Sequence, residues 1–341
     1  MRDKLSERER SGWLFAALSV LCALRLSELS WLYVLLGAAA AAVYLSLLSF
    51  LRGGESRTLS ELALAGFGKR AGSVLLLLCA GWTVLVLASV LSSAASAFPE
   101  DDIAILAPVT AAGLAAIGCR KGLRACAGAA GVLAMILALL YGVVVLATIK
   151  QIEPAWCGVW GSWRHGLQAF AFLLLPSCMY FLPGRNEDPQ NGRKFAAQVL
   201  LPAVPAFRCA AALSPQLTQA QRFPFYLLTK SLSLFGAMER FEPFLSGAMF
   251  MGFVCLAMLL VQTAGNICGS VAEKEEKSAF GIGAAAAGLP LSFVIGRLPM
   301  ESWIFGSTIF WGLFPALTQF VGGQKFLSEK VKKEVDKPDF L

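Results

Sequence analysis

The sequence predicts an all-α polytopic membrane protein with about ten transmembrane helices, and three observations carry this prediction. Of its 341 residues, 57% are apolar and only 15% are charged. Including glycine raises the apolar share to roughly 66%, against about 45–50% in soluble domains. The apolar residues form long runs, and most of the basic residues lie between these runs. A globular chain of this length has too little interior to bury so much apolar surface, so we infer that lipid surrounds it.

Each predicted span is a mostly apolar run close to the length of about 20 residues that crosses a bilayer. The first is the shortest because Arg25 ends it, and the seventh contains Pro202, Pro205 and Arg208. The first run lacks the small residues of a cleavage site, so we expect it to remain as a span. The segment 214–238 is amphipathic and predicts an interfacial or re-entrant helix on the outer side. The ten spans are 11–25, 31–51, 72–97, 103–118, 125–148, 165–183, 195–213, 240–266, 278–296 and 301–321.

The basic residues predict the orientation of the chain. With the N-terminus inside, 21 of the 29 Lys and Arg residues lie in inner segments and 7 in outer loops. Inner segments of membrane proteins carry such an excess, so both termini are expected in the cytoplasm. This distribution explains the net charge of +7 without a nucleic-acid surface. We expect a cytoplasmic tail at 1–10, a single membrane domain at 11–321 and a second cytoplasmic tail at 322–341.

Ten spans that contain helix-breaking residues resemble the LeuT-like arrangement, in which two five-helix repeats have inverted topology. The repeats would cover about 11–148 and 165–321. The sixth span opens the second repeat, and Pro176 lies near its middle, followed by Ser177. A proline there frees a backbone carbonyl for a ligand, a water or a neighbouring hydroxyl, and a plain proline kink is the alternative. The first span has no interior Pro, so its helix is expected to be unbroken or held open by other residues.

Several segments together resemble the spore germination permease family, the integral-membrane B subunit of nutrient germinant receptors. This family is a branch of the amino acid–polyamine–organocation superfamily. The segment 223–254 carries the most specific similarity. Three earlier segments are more weakly similar, at 58–72, 107–128 and 152–176. The matching positions in that segment are Phe223, Pro224, Lys230, Glu239, Arg240 and Glu242.

The resemblance implies a subunit that senses a small nutrient, with an amino acid as the expected ligand, and triggers germination through partner subunits. The implied partners are a membrane-anchored sensor subunit and a lipoprotein. The implied location is the cell membrane or the spore inner membrane. A permease that transports an amino acid or another small solute remains an alternative. So does a membrane scaffold whose pocket has degenerated.

Small polar and apolar residues of three spans predict a largely neutral ligand pocket. Three charged residues at the outer end of the eighth span are candidates for gating or partner contact. Anchoring of a helix at the interface is their alternative role, because acids are favoured at a helix N-terminus. The expected ligand-binding residues are Ser92, Ser93, Pro176, Ser177, Met249 and Phe250, and the expected gating or contact residues are Glu239, Arg240 and Glu242.

Enzymatic chemistry is not expected. His165 is the sole histidine, and the nine cysteines have no metal-ligand spacing. No phosphate-binding loop appears, so we expect neither a cofactor nor a metal. The middle of each predicted span lacks a carboxylate, so the sequence offers no carrier for sodium or proton coupling.

Overall fold

The computed structural model is helical over most of the residues that it describes. These are 4–52, 57–97, 101–158, 160–184, 197–221, 223–230, 242–274, 277–296 and 298–322. Within them six helices are long and apolar enough to cross a membrane. This agrees with an all-α membrane protein. The six are Trp31–Arg52, Lys69–Ala97, Leu123–Ala147, Ser246–Val271, Lys277–Ile295 and Met300–Gly322.

The helices are labelled in chain order. They are α1 (Glu7–Leu24), α2 (Trp31–Arg52), α3 (Leu59–Phe67), α4 (Lys69–Ala97), α5 (Asp101–Lys121), α6 (Leu123–Ala147), α7 (Trp163–Phe172), α8 (Ala203–Leu213), α9 (Pro215–Ala220), α10 (Pro224–Lys230), α11 (Glu242–Val271), α12 (Lys277–Ile295) and α13 (Met300–Ser307). A helical turn at 197–200 precedes α8, and α13 continues through a π-helical segment, Thr308–Leu313, to residue 322.

Capping boxes set the start of two helices that differ from the sequence prediction. Ser6 and Glu9 cap α1, which therefore begins inside the segment predicted as a tail. Thr58 and Glu61 cap α3 in the same way. The segment 52–71 was expected to be a loop, and it instead contains this nine-residue helix.

Two predicted segments are described only in part. In the amphipathic segment 214–238, α9 and α10 account for 215–220 and 224–230, so its beginning is helical. Residues 231–241 lie outside the described residues. The predicted C-terminal tail, apart from residue 322, lies outside them as well.

Four helices form the most closely packed part of the structure. Each of α4, α5, α11 and α12 contacts the other three. Glycine allows α11 and α12 to approach at backbone distance, since a Cβ on Gly265 would lie 2.9 Å from the Gly281 nitrogen. Helix α1 packs against α6 and α11, and its Trp13 Nε1 donates a 2.9 Å hydrogen bond to the Cys255 carbonyl.

The second helix packs against the sixth predicted span. Helix α2 contacts both α7 and α8, and α13 also contacts α7. A Cβ on Gly37 of α2 would lie 2.8 Å from Cβ of Ala169 and 2.9 Å from the Phe170 nitrogen. The two backbones therefore cross at a distance that only glycine permits. This crossing fixes the position of α7 close to Phe172, where the α-helix ends.

Candidate ligand-binding site at the interruption of the sixth span

The sixth predicted span is interrupted in the structure. Helix α7 ends at Phe172, a turn follows, and Leu175–Phe181 form a seven-residue 3-10 helix in which every residue is buried. Pro176 explains the end of the α-helix, because its ring clashes with the carbonyl four residues earlier, that of Phe172, and it has no N–H to donate. The structure therefore has a broken helix at this proline rather than a plain kink.

Ser177 is a buried polar residue within the interruption. Its backbone N–H donates a 2.9 Å hydrogen bond to the Leu174 carbonyl. Its hydroxyl oxygen is buried and has no hydrogen-bond partner within the described part of the chain. Buried hydroxyls normally have a protein or water partner, because leaving one unsatisfied costs about 1–3 kcal/mol. The Ser177 hydroxyl can therefore serve a ligand or a bound water.

The C-terminal end of the interruption is hydrogen-bonded to the start of α1. Leu5 and Gly184 form an isolated parallel bridge, in which the Leu5 N–H donates a 3.1 Å hydrogen bond to the Pro183 carbonyl. Arg10 Nη2 donates a 2.8 Å hydrogen bond to the Leu182 carbonyl. These bonds supply partners for carbonyl groups that the ended helix leaves without intrahelical donors.

A second arginine lies against the same 3-10 segment. The Arg52 guanidinium carbon lies 5.1 Å from the centre of the Tyr180 ring, within the range of a cation–π interaction. Arg52 is 4% exposed, and its Nη2 donates to the Arg57 carbonyl. The C-terminal part of the interruption thus contacts two buried arginines, one from α1 and one from α2.

Three tryptophans form an aromatic cluster next to the N-terminal side of the interruption. The ring centres of Trp82, Trp303 and Trp311 lie 6.2–6.3 Å from one another. Phe172, the last residue of α7, lies 4.6 Å from Trp303 between ring centres. We call Trp82, Trp303 and Trp311 the tryptophan cluster.

The tryptophan cluster contains buried hydrogen-bond donors. Within the described residues, the three indole nitrogens and the Ser307 hydroxyl have no hydrogen-bond partner. All four residues are less than 10% exposed. The adjoining π-helical segment is a feature often found at functional sites, and the Tyr44 hydroxyl donates a 2.6 Å bond to its Gly312 carbonyl. The cluster and Ser177 together favour an occupant rich in acceptor oxygens.

Sequence reasoning missed this cluster, although one part of it has a signal. Trp303, Ser307 and Trp311 follow a spacing of four residues, which is typical of one helical face. Trp82 lies on another predicted span, and nothing in the sequence pairs it with the other two. The full cluster therefore has no pattern in the sequence that predicts it.

The two serines predicted from the third span lie near the end of α4. Ser93 is 3% exposed, and its hydroxyl donates a 2.8 Å hydrogen bond to the Ser89 carbonyl of its own helix. Ser92 is half-buried, and its carbonyl accepts a 3.0 Å bond from the Ser96 hydroxyl. These bonds lie within α4, so a ligand contact at either serine stays a prediction.

The remaining predicted residues lie on α11 or just before it. Met249 is buried and Phe250 is half-buried, both within or against the apolar core. Because α11 packs against the 3-10 segment and against α4, the elements that carry the six pocket residues are neighbours. Their joint pocket stays a prediction. Glu239 and Arg240 lie outside the described residues, and Glu242 is described only as the first residue of α11.

No group of three or more His, Cys, Asp or Glu side chains suitable for a metal occurs in the portion of the chain described. His165 lies in the first turn of α7, where its Nδ1 accepts a 3.3 Å hydrogen bond from the Ser30 N–H. The aromatic rings of Tyr33 and Trp160 lie edge-on to its imidazole. These contacts give His165 a packing role between the start of α7 and α2.

No protein-family model and no curated protein sequence matches the chain.

Proposed function

We propose that this chain is the integral-membrane subunit of a spore nutrient-germinant receptor. It binds a small nutrient, expected to be an amino acid, at the interruption of the sixth span. It lies in the cell membrane or the spore inner membrane with both termini in the cytoplasm. The observation that carries the proposal is the buried Ser177 hydroxyl, which has no partner in the described structure and lies where a helix is broken in apolar surroundings.

The packing of the helices supports ten spans in two inverted repeats. The third and fourth spans of the first repeat correspond to the eighth and ninth spans of the second. These four spans are α4, α5, α11 and α12, the group in which every pair is in contact. A central group drawn equally from both repeats is what the inverted arrangement requires.

A ligand at this site would meet hydrogen-bond donors rather than fixed charges. Ser177 offers a hydroxyl, and the tryptophan cluster lies just beyond Phe172. The carboxylate of an amino acid supplies acceptor oxygens of the kind these donors need. The arginines near the interruption, Arg10 and Arg52, contact its C-terminal part, where their bonds hold backbone and ring groups.

Signalling follows from the conformational equilibrium that ligand binding shifts. A ligand alters the contacts with partner subunits only if it binds one conformation more tightly than another. The interruption is the element expected to differ, because its segments are joined by a turn rather than by a continuous helix. The sensor subunit and the lipoprotein would then respond to the altered surface.

The proposal is tested by calorimetric titration of the purified chain, together with its partner subunits, against each of the twenty amino acids. Binding of at least one amino acid is expected. The Ser177→Ala variant should bind it about tenfold to a hundredfold more weakly, since a hydrogen bond to a charged group is worth about 1.5–3 kcal/mol. Ser292→Ala is the control, because this buried serine of α12 is not one of the predicted pocket residues and its hydroxyl donates a 2.6 Å hydrogen bond to the Leu289 carbonyl of its own helix.

Two outcomes would contradict the proposal. The absence of binding by all twenty amino acids would exclude the amino-acid receptor and favour a scaffold. Gradient-driven uptake of an amino acid into vesicles reconstituted with this chain alone would favour the permease.

A further inference from the structure

A long groove runs along the outside of the helix bundle, away from the proposed ligand site. Its floor is α1, and its walls are α6 on one side and the chain from Gln198 to Pro205 on the other. It consists of two adjoining cavities of about 700 and 310 Å³. Both are lined by Phe15, Ala138 and Gln198, so they form one continuous depression.

Glycines of α6 line this groove without a described neighbour that requires them. A Cβ added to Gly128 or Gly142 would have no heavy atom within 4 Å. By contrast, a Cβ on Gly12 of the floor would lie 3.0 Å from the Gly131 Cα. Glycine is a poorer helix former than alanine, and membrane helices use it where another backbone approaches closely. At Gly128 and Gly142 no such backbone lies within 4 Å in the described chain, so both positions leave space in the groove.

The length of the groove favours a protein helix over a lipid chain. The lining of α6 extends from Ala127 to Val145, about 27 Å at 1.5 Å per residue. The hydrocarbon core of a bilayer is about 30 Å thick, so an acyl chain from one leaflet fills about half of it. The groove therefore passes through both leaflets, as a transmembrane helix does.

A ridge of large apolar side chains lies on the same helix as these glycines. Val132, Met135, Leu139 and Leu146 are 57%, 63%, 68% and 68% exposed. Their spacing of three, four and seven residues places them along one helical face. Helix α6 thus carries protruding side chains beside glycine gaps over the same depth of the membrane.

We propose that this groove is a self-association surface, in which the α6 ridge of a second copy of this chain fills the groove of the first. Two copies in one membrane share the same orientation and are related by an axis along the membrane normal. Each side chain therefore contacts the other copy at the same depth in the membrane. Met135 on the ridge of one copy thus reaches the glycine gaps at that depth in the other copy. Such a contact uses the same surface on both copies.

The charges at one end of the groove are compatible with this pairing. Glu7, Arg8 and Glu9 line that end, and Glu9 forms a 3.3 Å ion pair with Arg124. Both signs are present, so two copies do not bring like-charged patches together. The rest of the lining is mainly apolar, and its polar residues are Ser11, Ser19, Tyr141 and Gln198.

The first experiment places a photo-crosslinking amino acid at position 135 in the full chain in native membranes. Two differently tagged copies are expressed together, and the adducts are identified by mass spectrometry. An adduct that joins the two tagged copies is expected. The control position is 43, because Val43 is 70% exposed on α2 and lies outside the groove. An adduct with lipid or with another polypeptide alone, or no adduct at 135, would overturn the proposal.

The second experiment fills the groove. Gly128→Leu with Gly142→Leu should convert dimers to monomers, counted by single-molecule photobleaching in vesicles. Gly113→Leu with Gly283→Leu is the matched control, since a Cβ at these helical glycines also meets nothing within 4 Å and neither lines the groove. The control should remain dimeric. Monomers in the unaltered chain, or dimers in the filled variant, would refute self-association through this groove.

Discussion

Arg10 Nη2 donates a 2.8 Å hydrogen bond to the carbonyl oxygen of Leu182, a residue 172 positions further along the chain. The arginine is 3% exposed. Beside it, the Leu5 N–H donates to the Pro183 carbonyl. The beginning of α1 is thereby tied to the end of the interrupted span, and the tie depends on one buried guanidinium and one backbone pair.

Replacing Arg10 should loosen this tie. We expect Arg10→Gln to lower the free energy of unfolding by about 1.5–3 kcal/mol, the worth of a hydrogen bond to a charged group. Thermal unfolding in detergent measures the loss. Arg8→Gln is the control, because Arg8 is exposed and surface substitutions usually change stability by no more than about 0.5 kcal/mol. Equal unfolding temperatures for the two variants would contradict the role given to Arg10.

Replacing Pro176 should allow α7 to extend. In Pro176→Ala the new backbone N–H can donate to the Phe172 carbonyl, which restores a helical bond that the proline removes. Hydrogen exchange of the segment 173–181 should then become slower, and binding of the nutrient should weaken because the interruption is lost. Pro290→Ala is the comparison, since α12 is helical through Pro290. If exchange in 173–181 is unchanged in Pro176→Ala, the proline is not what interrupts the helix.

A methyl group at Gly306 should destabilise the tryptophan cluster. A Cβ there would lie 2.6 Å from Cζ2 of the buried Trp82 ring, which is too close for two carbon atoms. We expect Gly306→Ala to cost about 1–3 kcal/mol, as overpacked cores do. Gly283→Ala adds the same methyl group where nothing lies within 4 Å, and it should cause no loss. Thermal unfolding measures the stability of both variants. An equal loss of stability in Gly306→Ala and Gly283→Ala would contradict close packing at Trp82.

The ion pair between Glu9 and Arg124 should contribute little. Burial raises the pKa of the Glu9 carboxyl, but hydrogen bonds from Ser6 and Arg124 lower it more, so that the pKa lies below its ordinary value. The stabilisation from this group is therefore present above the ordinary pKa of a glutamate and is lost as the pH falls through the lowered value. Arg124→Gln should cost no more than about 1 kcal/mol near neutral pH, because the arginine is half exposed. Unfolding measured from pH 7 to pH 3 should show the difference between the variant and the unaltered chain shrinking, and a constant difference would contradict the pairing.

The sequence predicts the features whose cause is local. Pro176 marks the interruption because the clash that ends the helix involves a carbonyl only four residues away. The apolar runs predict the long helices, because the length and composition of a run are also local properties of the sequence. The capping residues Thr58 and Glu61 were also visible as a signal for α3, although the sequence analysis placed a loop there.

The features that the sequence could not predict are contacts between distant residues. In the sequence, Arg10 is indistinguishable from the other basic residues near the N-terminus. Its partner is a backbone carbonyl, and every residue type has one, so the residue types do not indicate the pair. Trp82 gave no sign of Trp303, since two aromatic residues on separate helices have no periodic relationship. The open glycines of α6 likewise looked like ordinary packing residues until the space beside them was known.

The tie between α1 and the end of the interrupted span sets an order of assembly. Residues 5–10 are synthesised before the carbonyls of Leu182 and Pro183 that they bind, and the Cys255 carbonyl bound by Trp13 is synthesised later still. Helix α1 therefore cannot make these contacts until those residues have been synthesised. Bringing such distant residues together is entropically costly and slow. A chain truncated before α11 would lack the Cys255 carbonyl that Trp13 binds, so that α1 could not complete its contacts.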